Sequence, residues 1–383
     1  MELHTFAYSK KTGWTVDSFP KLDSEKTFVV LFGAPKFVDD PKPFKELKTA
    51  FPKSIICGCS TAGEVLGTKI QDETLVVSVC KFEKSGLRQT SIKVTPGIDS
   101  VEAGTIIAEN LKEKDLRAVF ILSDGINVNG SELIQGLTKK LSNDVVVTGG
   151  LAGDGNDFKR TWTLEDGFPS MKVVSAVGFY GPSFRISHGS QGGWEIFGPE
   201  RIVTKSNKNI LYEIDGKPAL SLYKEYLGER AKELPAAALL FPICLLGEGN
   251  SDVVRTILTI DEKENSMTFA GNLPEGSKIR LMKATFDNLI EGASQAAVKL
   301  SQMQSKDKMP SGPVLAISIS CVGRRIVLGQ RVEDELESAL SRLPAQTQQI
   351  GFYSYGEISP LTSGKCELHN QTMTITAISE VLE

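Results

Sequence analysis

Histidine is almost missing from this chain, with His4, His188 and His369 the only three in 383 residues. Chemistry that needs an imidazole base or a histidine-rich metal centre has to pass through one of them. Long hydrophobic runs are also missing. The opening residues hold no apolar leader and nothing reads as a spanning helix, so a soluble cytoplasmic protein is expected, with no membrane partner. Basic runs are lacking as well. Lys and Arg number 43 against 47 Asp and Glu, the net charge is −4, and the cations are spread along the chain. That argues against nucleic acid as the main partner. The six cysteines, Cys57, Cys59, Cys80, Cys244, Cys321 and Cys366, sit mostly in apolar runs. Without a Cys-x-x-Cys pair or a neighbouring histidine they read as buried thiols, and no metal site is expected.

Glycine is plentiful, at 35 residues, and it clusters with acids. One stretch reads Gly58-Cys59-Ser60-Thr61-Ala62-Gly63-Glu64-Val65 and another reads Gly351-Phe352-Tyr353-Ser354-Tyr355-Gly356-Glu357-Ile358. Both fit the frame Gly-x-x-(Ser/Thr)-x-Gly-Glu-(Val/Ile). Gly149-Gly150-Leu151-Ala152-Gly153-Asp154 keeps the Gly-acid pair without the hydroxyl. Each follows an apolar strand-like run, where paired glycines allow a sharp turn and close backbone approach. A single copy would be explained by a tight turn with an acid capping free N–H groups. Three copies point to an inherited supersecondary unit.

At this length one compact core is not enough, so two domains are expected. Apolar periodicity predicts strands at 27–32, 54–59, 74–82, 117–122, 145–148, 314–320, 348–352 and 372–378. Helices are predicted at 41–51, from Asp99 with Glu102 completing a capping box, and at 131–141, 284–304 and 332–343. Residues 160–164 and 173–180 read as a hairpin, and 181–201 as a loop or an irregular strand pair. The order strand, helix, strand, glycine turn, strand recurs from Thr27, Arg117 and Val314. The expected fold is therefore α/β: two domains of mixed sheets covered by helices, with an internally repeated β-α-β-glycine turn-β unit. Residues 1–26 form an N-terminal segment, 27–228 a first domain and 229–383 a second.

The Gly58–Val65 and Gly149–Asp154 stretches, Gly193-Trp194, and Asp215-Gly216-Lys217-Pro218-Ala219 resemble the N-terminal domain of the FIST family (F-box and intracellular signal transduction). Arg324-Arg325, Gly351–Glu357 and His369-Asn370-Gln371-Thr372 resemble its C-terminal domain, so the resemblance runs from about Thr27 to Ile378. It implies a sensory input module that binds small ligands, amino acids especially, and is not an enzyme. No output domain or F-box segment is recognised here. That implies a stand-alone sensor acting on a separate signalling protein, such as a histidine kinase or cyclase. Some members of the family are described as haem-binding nitric-oxide sensors that control a histidine kinase, which is the alternative.

An amino-acid receptor needs a carboxylate for the ammonium and a guanidinium or N–H nest for the carboxylate. Glu64, Asp154 and Glu357 are the candidate carboxylates, and Arg324 and Arg325 the candidate cations. Ser60, Thr61, Gly63, Tyr355 and Gly356 complete the turns, and His369 and Asn370 open a polar strand start beside the third. Blander roles stand beside these: the arginines could pair with Glu333 or Glu335, and Glu357 with His369. No cofactor is expected. A haem would need His188, near Trp194 and Phe197, or His369 as axial ligand, and would be non-covalent for want of a Cys-x-x-Cys-His signal. A serine hydrolase at Ser60 is weakly suggested by Gly58-Cys59-Ser60-Thr61-Ala62, which lacks the second glycine of a nucleophile elbow.

Overall fold

Strand Thr27–Gly33 is buried along its whole length because both of its faces meet a packed layer. Phe28, Val30 and Phe32 enter a core shared by three sheets, while Val29 and Leu31 pack with Phe44 and Leu47 of helix Lys42–Ala50. Strands Leu116–Ser123 and Val314–Cys321 repeat this arrangement. Phe120 and Leu122, or Ile317 and Ile319, face the shared core, and Val119 and Ile121, or Val314 and Ala316, face outer helices. Continuous apolar runs of this kind are what strands covered on both sides require. In the computed structural model, residues 1–247, 252–304 and 312–381 are described.

Each of these strands lies inside its own mixed sheet. The three inner faces meet through aromatic contacts, with Phe28 at 6.3 Å from Phe120 and 5.3 Å from Phe179, and Phe32 at 4.6 Å from Phe352. Helix Lys42–Ala50 covers the first sheet, Ser100–Leu111 and Gly130–Thr138 the second, and Phe286–Gln304 and Val332–Leu340 the third. Asp99 caps its helix by accepting from Glu102 N at 2.9 Å. No described helix is long and apolar enough to cross a membrane.

The glycine turns hand the chain from sheet to sheet. Strand Ile55–Ser60 lies parallel to Thr27–Gly33 in the first sheet, and beyond its turn Glu64–Leu66 pairs with Thr347–Ser354 in the third. Thr347–Ser354 leads to Gly356–Pro360, which pairs with Val146–Leu151 in the second sheet. Val146–Leu151 leads on to Thr163–Glu165, which meets Cys59 back in the first. The long strands follow a similar route. Thr74–Lys81 of the first sheet precedes Gly86–Lys93 of the second, and Val173–Tyr180 of the second precedes Phe184–Gln191 of the third. Glu2–Ser9 fills the matching place in the first sheet, and the Met1 amine lies 3.7 Å from Glu380.

Gly58, Gly149 and Gly351 share one register position, opposite Leu31, Ile121 and Ser318 in parallel ladders. A Cβ there would stand 2.4, 1.8 and 1.8 Å from the facing carbonyl oxygens, so only glycine fits. The second glycines behave differently from the expectation that Gly63, Gly153 and Gly356 are equivalent. Of the three only Gly63 has a left-handed φ, at 135°, and the strand after Gly153 starts only at Thr163.

A fourth, wholly antiparallel sheet is built from residues 195–283, between strand Phe184–Gln191 and helix Phe286–Gln304. It takes strands from both sides of the expected boundary at 228/229: Glu195–Asn207 pairs with Lys278–Lys283. Three local readings are refined as well. Residues 181–201 take the strand alternative, as Phe184–Gln191 and the first part of Glu195–Asn207, which pair with other strands and not with each other. Thr163–Glu165 pairs with Phe168–Ser170 and not with Val173–Tyr180, which lies in another sheet. The segment 1–26 contains strand Glu2–Ser9, in which Phe6 and Tyr8 alternate with Leu3 and Ala7 between two cores.

Gly351→Ala should lower urea-unfolding stability by about 1–3 kcal/mol, the scale of forced overpacking in a core. Gly97→Ala, where a Cβ would meet nothing within 4 Å, should stay within about 1 kcal/mol of the parent.

Candidate functional site

The two glutamates of the glycine frame are buried and answered from within the chain. Glu64 accepts from the Thr61 hydroxyl, and from Thr74 N at 3.0 Å and Thr74 Oγ1 at 2.9 Å. Glu357 accepts from Ser354 Oγ at 2.7 Å, Thr372 Oγ1 at 2.9 Å and Thr372 N at 3.2 Å. One motif is therefore built twice, with a hydroxyl three residues before the acid and a threonine at the next long strand. Burial pushes the carboxyls up, Glu64 to about 7 and Glu357 to about 8, against the downward pull of those hydrogen bonds. Ser60 is fully buried, with its hydroxyl accepting from Trp162 N at 3.0 Å.

Arg324 is completely buried and paired with Glu335 at 2.6 Å. Its guanidinium also donates to the carbonyls of Gly192, Gln371 and Leu289. Glu335 in turn accepts from Ser320 Oγ at 2.8 Å and Tyr353 Oη at 3.0 Å. Arg325 donates to Ala62 O and to Asp72 at 2.7 Å, while Glu333 takes Lys69 instead. The expected pairing of Glu357 with His369 is not made by side chains. The two residues are register partners across a ladder, and His369 Nε2 lies 2.9 Å from Ser359 O. Asn370 is buried, donates to His369 O, and has an Oδ1 without a partner.

Two aspartates do different work, shaping loops at the mouth of a cleft. Asp124 accepts from Ile126 N, Asn127 N and Lys172 N at 2.8, 2.7 and 2.8 Å. Asp154 accepts from Phe158 N, Lys159 N and Arg160 N at 2.9, 2.7 and 2.7 Å. Asp154 also takes the Tyr355 hydroxyl, which fixes that ring beneath Phe158. The two rings stack at 4.4 Å with an interplanar angle of 11°.

The cleft encloses about 830 Å³ between these loops, the start of helix Val322–Leu328 and the inserted sheet. Ile126, Phe158, Leu258 and Ile326, each unusually exposed for a large apolar residue, all line it. Asn127, Asn156 and Thr256 supply polar groups, and the Thr256 hydroxyl is buried without a partner. Arg255 and Asn272 tie the inserted sheet to the core, through Leu368 O at 2.8 Å and Asn129 at 3.1 Å.

A second cavity of about 880 Å³ lies on the other side of strand Cys366–His369, lined by His188, His369, Trp194, Met282 and Lys299. Burial lowers both histidines to about 4, so both rings are neutral at physiological pH. Lys299 is directed to Gln191 Oε1 at 2.6 Å.

Of the residues singled out in the sequence, Tyr355 lines the first cleft, with Asp154 directly behind it. His369 lines the second cavity, and Arg325 faces a separate pocket with Ala62 and Glu333. Ser60, Thr61, Gly63, Glu64, Arg324, Gly356, Glu357 and Asn370 line neither of the two larger cavities. Sequence reasoning missed Phe158, Asn156, Ile126 and Thr256. The available signal was Ser123-Asp124-Gly125 and Gly153-Asp154-Gly155, each an acid between small residues at a strand end, where carboxylates collect backbone N–H groups.

The FIST N domain matches residues 27–217 and the FIST C domain residues 219–360. This chain belongs to the FIST family, whose members are sensory domains of signal transduction. It is 23% identical over 355 residues to "Uncharacterized protein MJ1623" of Methanocaldococcus jannaschii, an alignment covering 82% of this chain and 66% of that protein, just under two thirds. Among solved structures, the cyanuric acid hydrolase from A. caulinodans aligns with 9% identity over 78% of this chain and 100% of its own. At a TM-score of 0.18 that likeness carries no weight.

The buried carboxyl of Glu357 gives a signed pH test. Its folded pKa lies above its unfolded value, so the native state holds the extra proton and stability falls as pH climbs from about 4.5 to about 8. Glu357→Gln can keep the geometry, its oxygen facing Thr372 and its amide facing Ser354. Relative to the parent, the variant should gain stability as pH rises through that window, by at most about 1.4 kcal/mol per pH unit. Parallel denaturant titrations at pH 5 and pH 8 check it; a pH-independent difference would refute it.

Proposed function

We propose that this protein is a small-ligand sensor whose ligand, an amino acid or similar small polar molecule, occupies the cleft beside Tyr355. In this reading it regulates a separate signalling partner, such as a histidine kinase or cyclase, and does no chemistry on the ligand. The carrying observation is the cleft itself, with a volume in the range of small-molecule sites, an apolar body and a few convergent polar groups. Its walls come from two bodies, the three-sheet core and the inserted sheet, so a ligand bridging them favours one relative placement. The buried, bonded hydroxyl of Ser60 supports binding over hydrolysis. The sheet-to-sheet handovers and the shared register of Gly58, Gly149 and Gly351 support descent from a repeated β-α-β-glycine turn-β unit.

A second reading, haem in the other cavity, is favoured by one observation: His188 and His369 open onto the same space. The donors fit, since both imidazoles are neutral and no protein hydrogen bond is made to the His188 ring among the described residues. His188 would hold the group beside Trp194 and Met282. When bound, haem would supply an iron centre for nitric oxide.

A thermal-shift screen of the twenty amino acids separates the two readings. At least one should raise the melting temperature, with a stabilisation that grows with the logarithm of its concentration above Kd and reaches about 2.7 kcal/mol at one hundred times Kd. Ile326→Arg, at an exposed position on the cleft wall, should abolish that shift. Protein purified without added haem should show no stoichiometric Soret band. A band at one haem per chain that is lost in His188→Ala would move the site to the second cavity.

A further inference from the structure

Phe158 is held in a conformation that a bulky side chain adopts only under constraint. Its φ is +49°, in the left-handed region, and its side chain is 48% exposed beside the cleft. Glycine or asparagine would relax the backbone there, and a polar side chain would spare the exposed apolar surface. The loop tolerates phenylalanine because Asp154 gathers Phe158 N, Lys159 N and Arg160 N, and because Tyr355, itself anchored to Asp154, supports the inner face of the ring. Strain of this kind persists where the surroundings over-determine it, and it concentrates at ligand clamps. One face of the ring is satisfied by stacking and the side chain remains half open to the cleft.

We propose that the Phe158–Tyr355 pair is a ring-binding subsite, and that the ligand of this cleft carries a flat aromatic or heteroaromatic ring with an amide-like polar edge. The inference rests on the cleft reading above and narrows it to a ligand class. The ring of the ligand extends the stack outward from Phe158, in the offset geometry that aromatic quadrupoles favour. Ile126 and Ile326 flank it. The polar edge is matched by Asn156, which makes no hydrogen bond within the described protein, and by the unpartnered hydroxyl of Thr256. Thr256 is 4% exposed, so its unmet hydroxyl is a built-in deficit on the cleft wall. A wholly aliphatic ligand would leave both of these features unused.

Benzamide and cyclohexanecarboxamide form the test pair, since they share the amide and the ring size and differ in flatness. Both are titrated against the full chain by ligand-observed NMR, to about 10 mM, because ligands of so few atoms bind weakly. Wild type should hold benzamide about 3- to 10-fold more tightly than its saturated analogue, the size of one aromatic stacking contact. Phe158→Tyr should keep that preference and Phe158→Leu should lose it, with circular dichroism confirming that both variants are folded. Equal affinities in wild type, a preference that survives Phe158→Leu, or no binding of either compound would each overturn the ring subsite. If both compounds bind equally and both are lost in Ile326→Arg, the cleft stands and only the ring subsite falls. If binding persists unchanged in Ile326→Arg, the cleft assignment falls with it.

Discussion

A chain that leaves one sheet inside a core and joins another must break its ladder, and the freed backbone groups need partners where no water reaches. That requirement governs this fold. At Gly63 and Gly356 the crossing is short enough for the next strand to begin at once, and the neighbouring sheet takes up freed groups, with Ala62 N donating to Tyr353 O and Tyr355 N to Leu151 O. Glu64 reaches Thr74 and Glu357 reaches Thr372, so the acid that leaves the turn also fixes the start of the following long strand. Removing such an acceptor leaves a buried N–H unmet, which costs more than the bond contributes. The expense of burying the acid is visible in its raised pKa.

The second crossing departs from this pattern, and the departure makes the cleft. After Gly153 no strand follows until Thr163, and the intervening chain loops out. Asp154 turns its carboxylate onto that loop and Asp124 does the same for the neighbouring one, so two rigid lips face the inserted sheet. Acids of similar sequence setting thus divide between two tasks: two glutamates hold the core, and two aspartates hold loops that expose apolar side chains. Contiguous exposed apolar surface is rare on soluble chains and marks places where something binds.

Much of the core could be read from the sequence, and the reasons are local. Runs such as 27–32 and 314–320 are apolar at every position because both faces are covered, so their strands were plain. The cap at Asp99 and the glycine stretches carry their own stereochemistry. The sheet-to-sheet handover was not legible, since pairing partners such as Glu64–Leu66 with Thr347–Ser354 are far apart in the chain. The carboxylates of Glu64 and Glu357 looked available for a ligand because their threonine partners lie ten and fifteen residues away. Phe158 went unnoticed because nothing in Gly155-Asn156-Asp157-Phe158 signals that a loop will hold an aromatic ring open to solvent.

The buried Arg324 has a mechanical consequence. It grips Gly192 O, where the chain leaves for the inserted sheet, and Leu289 O, just after it returns. Gly193 and Gly292 let the two passing segments touch, with space for no side chain between them. The inserted sheet is thus held at its root by one guanidinium and again on its cleft side, where Arg255 meets Leu368 O and Asn272 meets Asn129. Its departure from the core and its return to it therefore lie within reach of a single side chain. Cys321, Val322 and Gly323, immediately before Arg324, form part of the cleft wall, so the side chain that holds both crossings follows the cleft directly in the chain.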